Sequence, residues 1–173
     1  MTLLETPRLR VRKVTPDDAA FILELLNEAP FIQHIGDRGL RSPADARGYI
    51  EEKLLSSYQK FGYGLYVVQE KAGDTALGVC GFVKRDNLEH ADLGYAFLER
   101  YWRCGYAQEA ATAVLDYGRT RLGFDQVLGV VAPDNHRSIR LLENLGFRFE
   151  RMIPLPGIET ERKLFSRRWP RAT

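Results

Sequence analysis

Alternating charged and apolar residues over 8–14 predict a first, half-buried strand. Short β-rich runs predict six more strands, at residues 65–69, 76–83, 91–98, 127–132, 147–150 and 162–169. The charged, turn-rich connections between residues 64 and 98 are typical of an antiparallel meander. The run 127–132 is continuously apolar, which indicates a strand that is buried on both faces.

Apolar residues at helical spacing predict four helices between these strands. The first two begin at residues 15–18 and 42–45, where a hydroxyl, a proline and one or two carboxylates form a helix start signal. The second of them runs toward residue 59. A third helix spans 106–121, and a fourth follows the strand break at 133–135 and ends near Gly146.

The composition is that of an ordinary soluble domain. The chain has 173 residues, 45% apolar and 28% charged, so we expect a single domain over residues 1–173 with a sizeable core. These values exclude disorder, collagen-like sequence and a bare coiled coil. The net charge of +2 predicts no strong attraction to nucleic acid or to a membrane.

Neither the cysteines nor the histidines have the spacing of a metal site. Cys80 and Cys104 form no CxxC pair, and no two of the three histidines share one helix face. No apolar run is long enough to cross a bilayer, and the first residues lack the features of a signal peptide. We therefore expect no metal and a cytoplasmic location.

The most informative stretch is LGYAFLERYWRCGYAQEA at residues 93–110. A strand runs into a short loop in which Gly105 and Ala107 allow close approach of the backbone, and a helix begins directly afterwards. Free amides at a helix start suit a phosphate. A plain tight turn would need the same glycine, so that alternative stays open. The sequence has no GxxxxGK[ST] and no GxGxxG after a strand, which argues against an NTPase or a dinucleotide dehydrogenase.

A second cluster lies in PDNHRSIRLLENLGF at residues 133–147. Asn135 and Ser138 stand three residues apart, at the end of a buried strand and in the first turn of a helix, so both can face one groove. Taken singly, Asn135 is also explained as a helix N-cap and Ser138 as a surface hydroxyl. The pair, downstream of the phosphate-like loop, favours a shared site.

Four segments of the chain resemble the Gcn5-related N-acetyltransferase (GNAT) superfamily, in the family's order. They are TPRLRVRKVTPDDA, DLGYAFLERYWRCGYAQEA, VLGVVAPDN and NHRSIRLLENLGF, which together span nearly the whole chain. The resemblance is to the branch that includes the ribosomal-protein N-terminal-amine acetyltransferases, and it implies acetyl-coenzyme A (acetyl-CoA) as co-substrate. It also implies an α/β (α+β) fold, with a mixed, mostly antiparallel, seven-stranded sheet that is splayed between two central strands and has helices on both faces.

The same resemblance implies which residues bind acetyl-CoA: Phe97, Leu98, Arg103, Cys104, Gly105, Tyr106, Ala107, Gln108 and Asn135. Two positions depart from the family's pattern. The pyrophosphate loop usually opens with a polar residue, and here Trp102 stands there, with Arg103 beside it. Many members carry a tyrosine four residues before the final Gly-Phe, which reprotonates the leaving thiolate. Here that residue is Leu142, and Ser138 is the nearest substitute.

The implied reaction needs a base, because an amine must be neutral to attack a thioester. Four candidates lie on or beside the strand 91–98: Glu89, His90, Asp92 and Glu99. We rank Asp92 first because it lies inside the strand. Its alternative explanation is a solvated strand carboxylate.

Negative charge develops on the thioester oxygen and then on the sulfur, and each needs a donor. We expect a backbone N–H near Leu98 to serve the oxygen and Ser138 to serve the sulfur. Cys104, at a helix start, would instead act as a nucleophile if its thiol were activated. No histidine is close to it in sequence, so we expect direct transfer in a ternary complex.

Two other classes of function stay open. A catalytically silent acyl-CoA-binding or sensing domain would keep the phosphate-binding loop and lose the catalytic residues. The leucine at position 142, where many members carry the tyrosine, supports this alternative. A nucleic-acid-binding module would use the basic tail, although alternating charges on a closing edge strand explain that tail more simply. The cations of the tail are Arg162, Lys163, Arg167, Arg168 and Arg171. We expect an N-acetyltransferase that binds neither nucleic acid nor membrane.

The acceptor amine is not determined by the sequence. Glu24, Glu28, Asp37, Arg38 and the aromatic run 58–66 lie in segments that usually shape the acceptor groove of this family. They do not distinguish a protein N-terminus from a small-molecule amine. Relatives are often dimers, so a homodimer is open as well.

Overall fold

The computed structural model describes residues 2–170, in which eight strands form one mixed sheet with helices on both faces. The strands are β1 (Thr2–Glu5), β2 (Leu9–Lys13), β3 (Leu65–Glu70), β4 (Ala76–Val83), β5 (Asp92–Phe97), β6 (Gln126–Val131), β7 (Arg148–Leu155) and β8 (Ile158–Arg168). The seven expected strands are present, and β1 is an eighth. It has four residues and pairs with β2 at the edge of the sheet, so it is too short to show a clear alternation.

The helices are α1 (Ala19–Leu26), α2 (Ala29–His34), α3 (Pro43–Tyr49), α4 (Ser56–Phe61), α5 (Tyr106–Thr120) and α6 (His136–Asn144). The helix predicted from 42–45 toward 59 is α3 and α4 together, joined by a π-helical stretch at Ile50–Leu55. It ends at Gly62, whose φ of 79° is the left-handed conformation that favours glycine. The sequence pattern does not predict α2, because its six residues are too few to show a helical period.

The strand order is β1-β2-β3-β4-β5-β6-β8-β7. Neighbouring strands are antiparallel except for β5 and β6 at the centre, which are parallel. These two share a single registered pair, Asp92 with Leu128. The expected mixed sheet, splayed between two central strands, is therefore confirmed.

The two faces of the sheet carry separate hydrophobic cores, because alternate side chains of a strand point to opposite sides. The first core lies under α5 and α6 and is centred on Leu93, Phe97, Val114, Leu115 and Leu142. The second lies under α1 and α3 and is centred on Ile22, Leu25, Ile50, Val79 and Leu98. Tyr95 packs against the first core and Ala96 against the second, so β5 contributes to both.

The basic tail lies on β8, in the closing hairpin with β7. β8 lies between β6 and β7, so the expectation that it forms the sheet edge is wrong. Arg167 donates to the Leu145 carbonyl oxygen at 2.7 Å, and Arg168 lies 3.4 Å from a Glu150 oxygen. These contacts attach two of the basic side chains of the tail, Arg167 and Arg168, to neighbouring groups of the domain. Arg171 lies outside the described residues.

Candidate active site

A gap opens between β5 and β6 at the centre of the sheet. The Leu128 N–H donates to the Ala91 carbonyl oxygen at 2.9 Å, and Asp92 pairs with Leu128. No further register pair joins the described residues of these strands, so β5 diverges from β6 on the way to Phe97. Strands that part in this way leave backbone groups without a strand partner, and such groups are available to a ligand.

The backbone that faces this gap is that of Phe97, not that of Leu98. The Leu98 N–H donates to the Leu77 carbonyl oxygen of β4 at 3.0 Å, and the Leu98 side chain is fully buried in the second core. Since successive residues of a strand point their N–H groups in opposite directions, that of Phe97 points toward β6. The backbone donor expected near Leu98 is therefore narrowed to the Phe97 N–H, because the Leu98 N–H is already bonded to β4.

The loop between β5 and α5 presents backbone amides at the start of a long helix. Arg103 and Gly105 both have left-handed backbone conformations, with φ of 64° and 80°. The Glu109 N–H bonds to the Gly105 carbonyl oxygen at 3.1 Å. Three amides of α5 precede that bond, those of Tyr106, Ala107 and Gln108. With the positive end of the dipole of a 15-residue helix behind them, these amides suit an anion.

An ion pair from the N-terminal segment holds this loop. Arg8 Nε lies 2.7 Å from Glu109 Oε1, and Arg8 Nη1 donates to the Cys104 carbonyl oxygen at 2.9 Å. The Glu109 carboxylate also accepts from the Thr6 hydroxyl at 2.5 Å. Desolvation raises the pKa of Glu109, but the hydrogen bonds from Thr6 and Arg8 outweigh it, and the pKa is lowered. Sequence analysis missed Arg8, because its partners lie far away along the chain.

Trp102 joins the loop to the end of β5 and to α6. Its indole Nε1 donates to the Phe97 carbonyl oxygen at 2.8 Å. The Arg137 guanidinium lies over the same indole, 4.3 Å from the ring centre, which is a favourable cation–π contact. Arg137 therefore brings a positive charge to the position where the usual polar residue is replaced by tryptophan.

Asn135 and Ser138 meet at the start of α6, as predicted. The Asn135 side-chain oxygen accepts from the Ser138 N–H at 3.3 Å, so Asn135 is also the N-cap that the alternative explanation described. The Ser138 hydroxyl is hydrogen-bonded to the Tyr95 phenol, whose oxygen also lies 3.3 Å from the Ser138 carbonyl oxygen. Burial raises the pKa of Tyr95, so the phenol keeps its proton. Sequence analysis missed Tyr95.

Asp92 is a buried carboxylate at the closed end of the gap. Its side chain is 3% exposed, and Oδ2 accepts from Arg85 Nε at 2.8 Å. Oδ1 is buried without a hydrogen-bond partner among residues 2–170. Desolvation raises the pKa of Asp92 to about 6, against the opposing effects of Arg85 and of the Val130 backbone N–H on β6. The alternative explanation of Asp92 as a solvated carboxylate is wrong, because the group is shielded from water.

A comparison with known sequences identifies the family. A family model described as an acetyltransferase (GNAT) domain matches residues 8–148. The chain belongs to the GNAT acetyltransferase family. Two relatives come from Bacillus subtilis (strain 168). The uncharacterized protein YkkB is 32% identical over 154 residues, 88% of each chain. The uncharacterized N-acetyltransferase YoaA is 28% identical over 152 residues, which cover 87% of this chain and 85% of that relative.

Solved structures share the GNAT fold over nearly the whole chain. RimL, a ribosomal alpha-N-protein acetyltransferase in complex with coenzyme A, superposes with a TM-score of 0.82 at 18% identity, covering 97% of this chain and 98% of RimL. A chimera of the spermidine N-acetyltransferase SpeG from Vibrio cholerae and hSSAT superposes with a TM-score of 0.74 at 18% identity, covering 91% and 93%. At these identities the likeness shows the fold alone. Family and relatives together make this GNAT chain an acyltransferase that acetylates an amine.

The other three candidate bases of this acetyltransferase lie outside β5. Glu89 and His90 precede the strand, and Glu99 follows it in a short 3₁₀ turn. Glu89 and Glu99 are exposed. The Glu99 backbone N–H donates to a Glu28 carboxylate oxygen at 2.9 Å. Of the four candidates, Asp92 is the buried one within the strand.

Carboxylates in the expected acceptor region are bound to neighbouring groups. Glu24 lies 2.6 Å from Arg100, in the turn after β5, and Asp37 lies 2.6 Å from Arg41. Arg38 is exposed on the loop before α3. The Glu24–Arg100 ion pair and the hydrogen bond from the Glu99 N–H to Glu28 thus join the end of α1 and the start of α2 to the turn that follows β5.

Within residues 2–170, no three histidine, cysteine or acidic side chains converge as metal ligands. Over the same range, none of the helices has the length and apolar character that a bilayer span requires. Cys80 is buried, and Cys104 is exposed in the loop before α5, with its thiol 3.5 Å from the Trp102 carbonyl oxygen.

Proposed function

We propose that this enzyme transfers the acetyl group of acetyl-CoA directly to a primary amine within a ternary complex, using Asp92 as base and Ser138 as donor to the sulfur. The observation that carries the proposal is the gap between β5 and β6. It has a buried carboxylate at its closed end, and a strand amide and a hydroxyl farther along.

The residues along the gap fit acetyl-CoA. The amides at the start of α5, with Arg103 and Arg137 nearby, suit the pyrophosphate. The left-handed conformations of Arg103 and Gly105 suit the same group, because they turn successive amides toward one side. Asn135 suits an amide group of the pantetheine arm. When bound, acetyl-CoA supplies a thioester whose carbonyl carbon is open to attack by an amine.

Asp92 takes the proton that the amine loses. The carboxyl is matched to this task because its pKa of about 6 keeps it ionised near neutral pH while leaving it basic enough to hold a proton. Asp92 lies five residues before Phe97 in β5, about 16 Å along an extended strand, and its side chain is 3% exposed, so it takes the proton through a file of waters along the gap rather than by contact with the acceptor.

Two donors stabilise the negative charge that the attack creates. The Phe97 N–H donates to the thioester oxygen, and the Ser138 hydroxyl donates to the sulfur. Both groups are held in place before the substrate binds. The Phe97 carbonyl is fixed by Trp102, and the Ser138 backbone is fixed by Asn135. Preorganised donors of this kind cost no rearrangement during the reaction.

The acceptor is a primary amine, either a protein N-terminus or a small molecule. Both classes occur among proteins of this fold, since RimL is named for a ribosomal-protein α-amine and SpeG for spermidine. A panel of amines that includes spermidine and peptides beginning with alanine or serine distinguishes them. The cytoplasmic location, the single domain and the homodimer remain predictions, as does the absence of a metal and of nucleic-acid or membrane partners.

Binding, turnover and kinetic pattern each test the proposal. Acetyl-CoA should raise the thermal unfolding temperature, and the panel should release free thiol with at least one amine. Failure of every CoA ester to stabilise the protein would overturn it. Initial-rate plots should intersect, as a ternary complex requires, and Cys104→Ser should keep its activity. Parallel plots, together with an inactive Cys104→Ser that still binds acetyl-CoA, would instead establish a covalent acetyl-cysteine.

A further inference from the structure

The Tyr95 phenol reaches the proposed sulfur donor from another strand. Tyr95 lies in the middle of β5, with its ring against the first core, and its oxygen is hydrogen-bonded to the Ser138 hydroxyl at the start of α6. The same oxygen lies 3.3 Å from the Ser138 carbonyl oxygen. This contact joins β5, which borders the gap, to α6, the helix that follows β6, and neither the family nor the named relatives assign it a role.

The direction of this hydrogen bond determines where the Ser138 proton points. A serine hydroxyl has one proton to donate and two lone pairs to accept with. If Ser138 donates to Tyr95, its proton is used inside the fold, and the phenol proton turns to the Ser138 carbonyl. If Tyr95 donates to Ser138, the serine proton is free for the gap.

We infer that Tyr95 is a positioning residue, whose phenol donates to the Ser138 oxygen and thereby directs the Ser138 proton at the departing sulfur. The inference rests on the proposed role of Ser138. Negative charge on the sulfur favours this arrangement, because the serine proton is then attracted toward the gap. Burial keeps the phenol protonated, so it acts as a donor throughout the reaction.

No proton leaves Tyr95 in this scheme. The amine nitrogen forms the new bond to the acetyl carbon, and the carbon–sulfur bond breaks. The proton of the amine ends on Asp92, and the sulfur departs as a thiolate that is hydrogen-bonded to Ser138 and takes a proton from water after release. Tyr95 and Ser138 keep their own protons and supply oriented hydrogen bonds.

Removal of the phenol oxygen by Tyr95→Phe tests the inference, because the ring and its packing stay. We expect kcat to fall about 3- to 10-fold, the effect of losing one orienting hydrogen bond. The KM for acetyl-CoA should stay within about twofold, because the bond matters most when charge is on the sulfur. Tyr117→Phe is the matched control. It removes a phenol oxygen from the C-terminal half of α5, where the ring lies edge-on to Tyr66 with 6.3 Å between ring centres, and should leave kcat unchanged.

A second readout needs no turnover. CoA is bound to the enzyme, and the pKa of its thiol is followed by the ultraviolet absorbance of the thiolate. Ser138 should lower that pKa in the wild type, and Tyr95→Phe should raise it by roughly 0.5–1 unit, the loss of one orienting hydrogen bond between neutral groups. Ser138→Ala should raise it at least as much, and the double variant should add nothing further to Ser138→Ala.

The outcomes separate the inference from the proposed function. If Ser138→Ala changes kcat and the thiol pKa but a folded Tyr95→Phe changes neither, the role of Tyr95 is refuted and that of Ser138 stands. If neither variant has an effect, the assignment of Ser138 fails as well. Should Tyr95→Phe not fold, 3,5-difluorotyrosine at position 95 replaces it. Its more acidic phenol is a stronger donor and should lower the thiol pKa, and a pKa that stays the same or rises would overturn the inference.

Discussion

Loss of the Arg85 guanidinium should move the acid limb of activity to higher pH. Arg85 Nε lies 2.8 Å from Asp92 Oδ2 and opposes the desolvation that raises the pKa of Asp92 to about 6. A hydrogen bond to a charged group is worth about 1.5–3 kcal/mol, or roughly 1–2 pH units. Because the Arg85 side chain is 36% exposed, screening by water favours the lower end. We expect a shift of about one unit in Arg85→Met, to a pKa of about 7.

The sign of the change follows from the role of Asp92. A base must be ionised, so kcat/KM rises with pH as Asp92 loses its proton, and in Arg85→Met that rise should occur about one unit higher. The two enzymes should agree at alkaline pH. Stability should change as well. A carboxyl whose folded pKa is raised destabilises the protein as pH increases from its unfolded pKa to its folded pKa. The window of falling stability, from about 4 to about 6 in the wild type, should extend to about 7.

The assay is the pH dependence of kcat/KM for one fixed amine at saturating acetyl-CoA. The ionisation of the amine is common to all variants, so differences between their profiles report on the enzyme. Arg85→Lys keeps the positive charge and should shift the limb by much less than Arg85→Met. Asp92→Asn should lose most activity at every pH while still binding acetyl-CoA. If the acid limb of the kcat/KM profile stays at the same pH in a folded Arg85→Met protein, Asp92 is not the base whose ionisation controls the rate.

Four further substitutions test the gap and its loop. Ser138→Ala should lower kcat by about 10²-fold, the low end for loss of one hydrogen-bond donor in the transition state, and should keep its affinity for acetyl-CoA. Asn135→Ala should weaken that affinity as well, and kinetics together with calorimetry distinguish the two variants. Gly105→Val should reduce the affinity for acetyl-CoA. It should also cost about 1–2 kcal/mol of stability, because Gly105 has a φ of 80°, which valine adopts only with strain. Unfolding experiments with and without acetyl-CoA measure both effects, and an unchanged affinity would show that the loop is not part of the acetyl-CoA site. Trp102→Phe keeps a ring but removes the donor to the Phe97 carbonyl oxygen. It should raise the KM for acetyl-CoA several-fold in steady-state kinetics and cost about 1 kcal/mol of stability, and an unchanged KM would refute the role of the indole.

Elements with a long repeating pattern could be predicted from the sequence, and short ones could not. α5 begins at Tyr106 as predicted and ends one residue early, because its 15 residues show a full helical period. β1 and α2 have four and six residues, and their pairing or packing partners decide their structure. The position of β8 inside the sheet depends on how the closing hairpin docks on β6, which no local pattern encodes.

The candidate site was predictable where it depends on residues close together in the chain. Asn135 caps the helix that carries Ser138, and Gly105 precedes the amides of α5. The choice between Phe97 and Leu98 was not predictable, because a shift of one residue reverses the direction of a strand N–H. Arg85 was missed because seven residues and a turn separate it from Asp92.

The two departures from the family's pattern, Trp102 and Leu142, are explained by the contacts of α6 with the strands that border the gap. The indole N–H of Trp102 is bonded to the Phe97 carbonyl oxygen and is therefore not available to a pyrophosphate. The same ring holds the guanidinium of Arg137 on α6, which suits that group. Leucine at 142 offers no proton to a thiolate, yet it packs closely on β6, where a Cβ at Gly129 would lie 3.0 Å from its methyl carbon. That close packing sets α6 beside the sheet, with Ser138 within reach of Tyr95. Trp102 thus joins α6 to β5, and Leu142 packs α6 on β6, so the width of the gap and its chemistry depend on the same side chains.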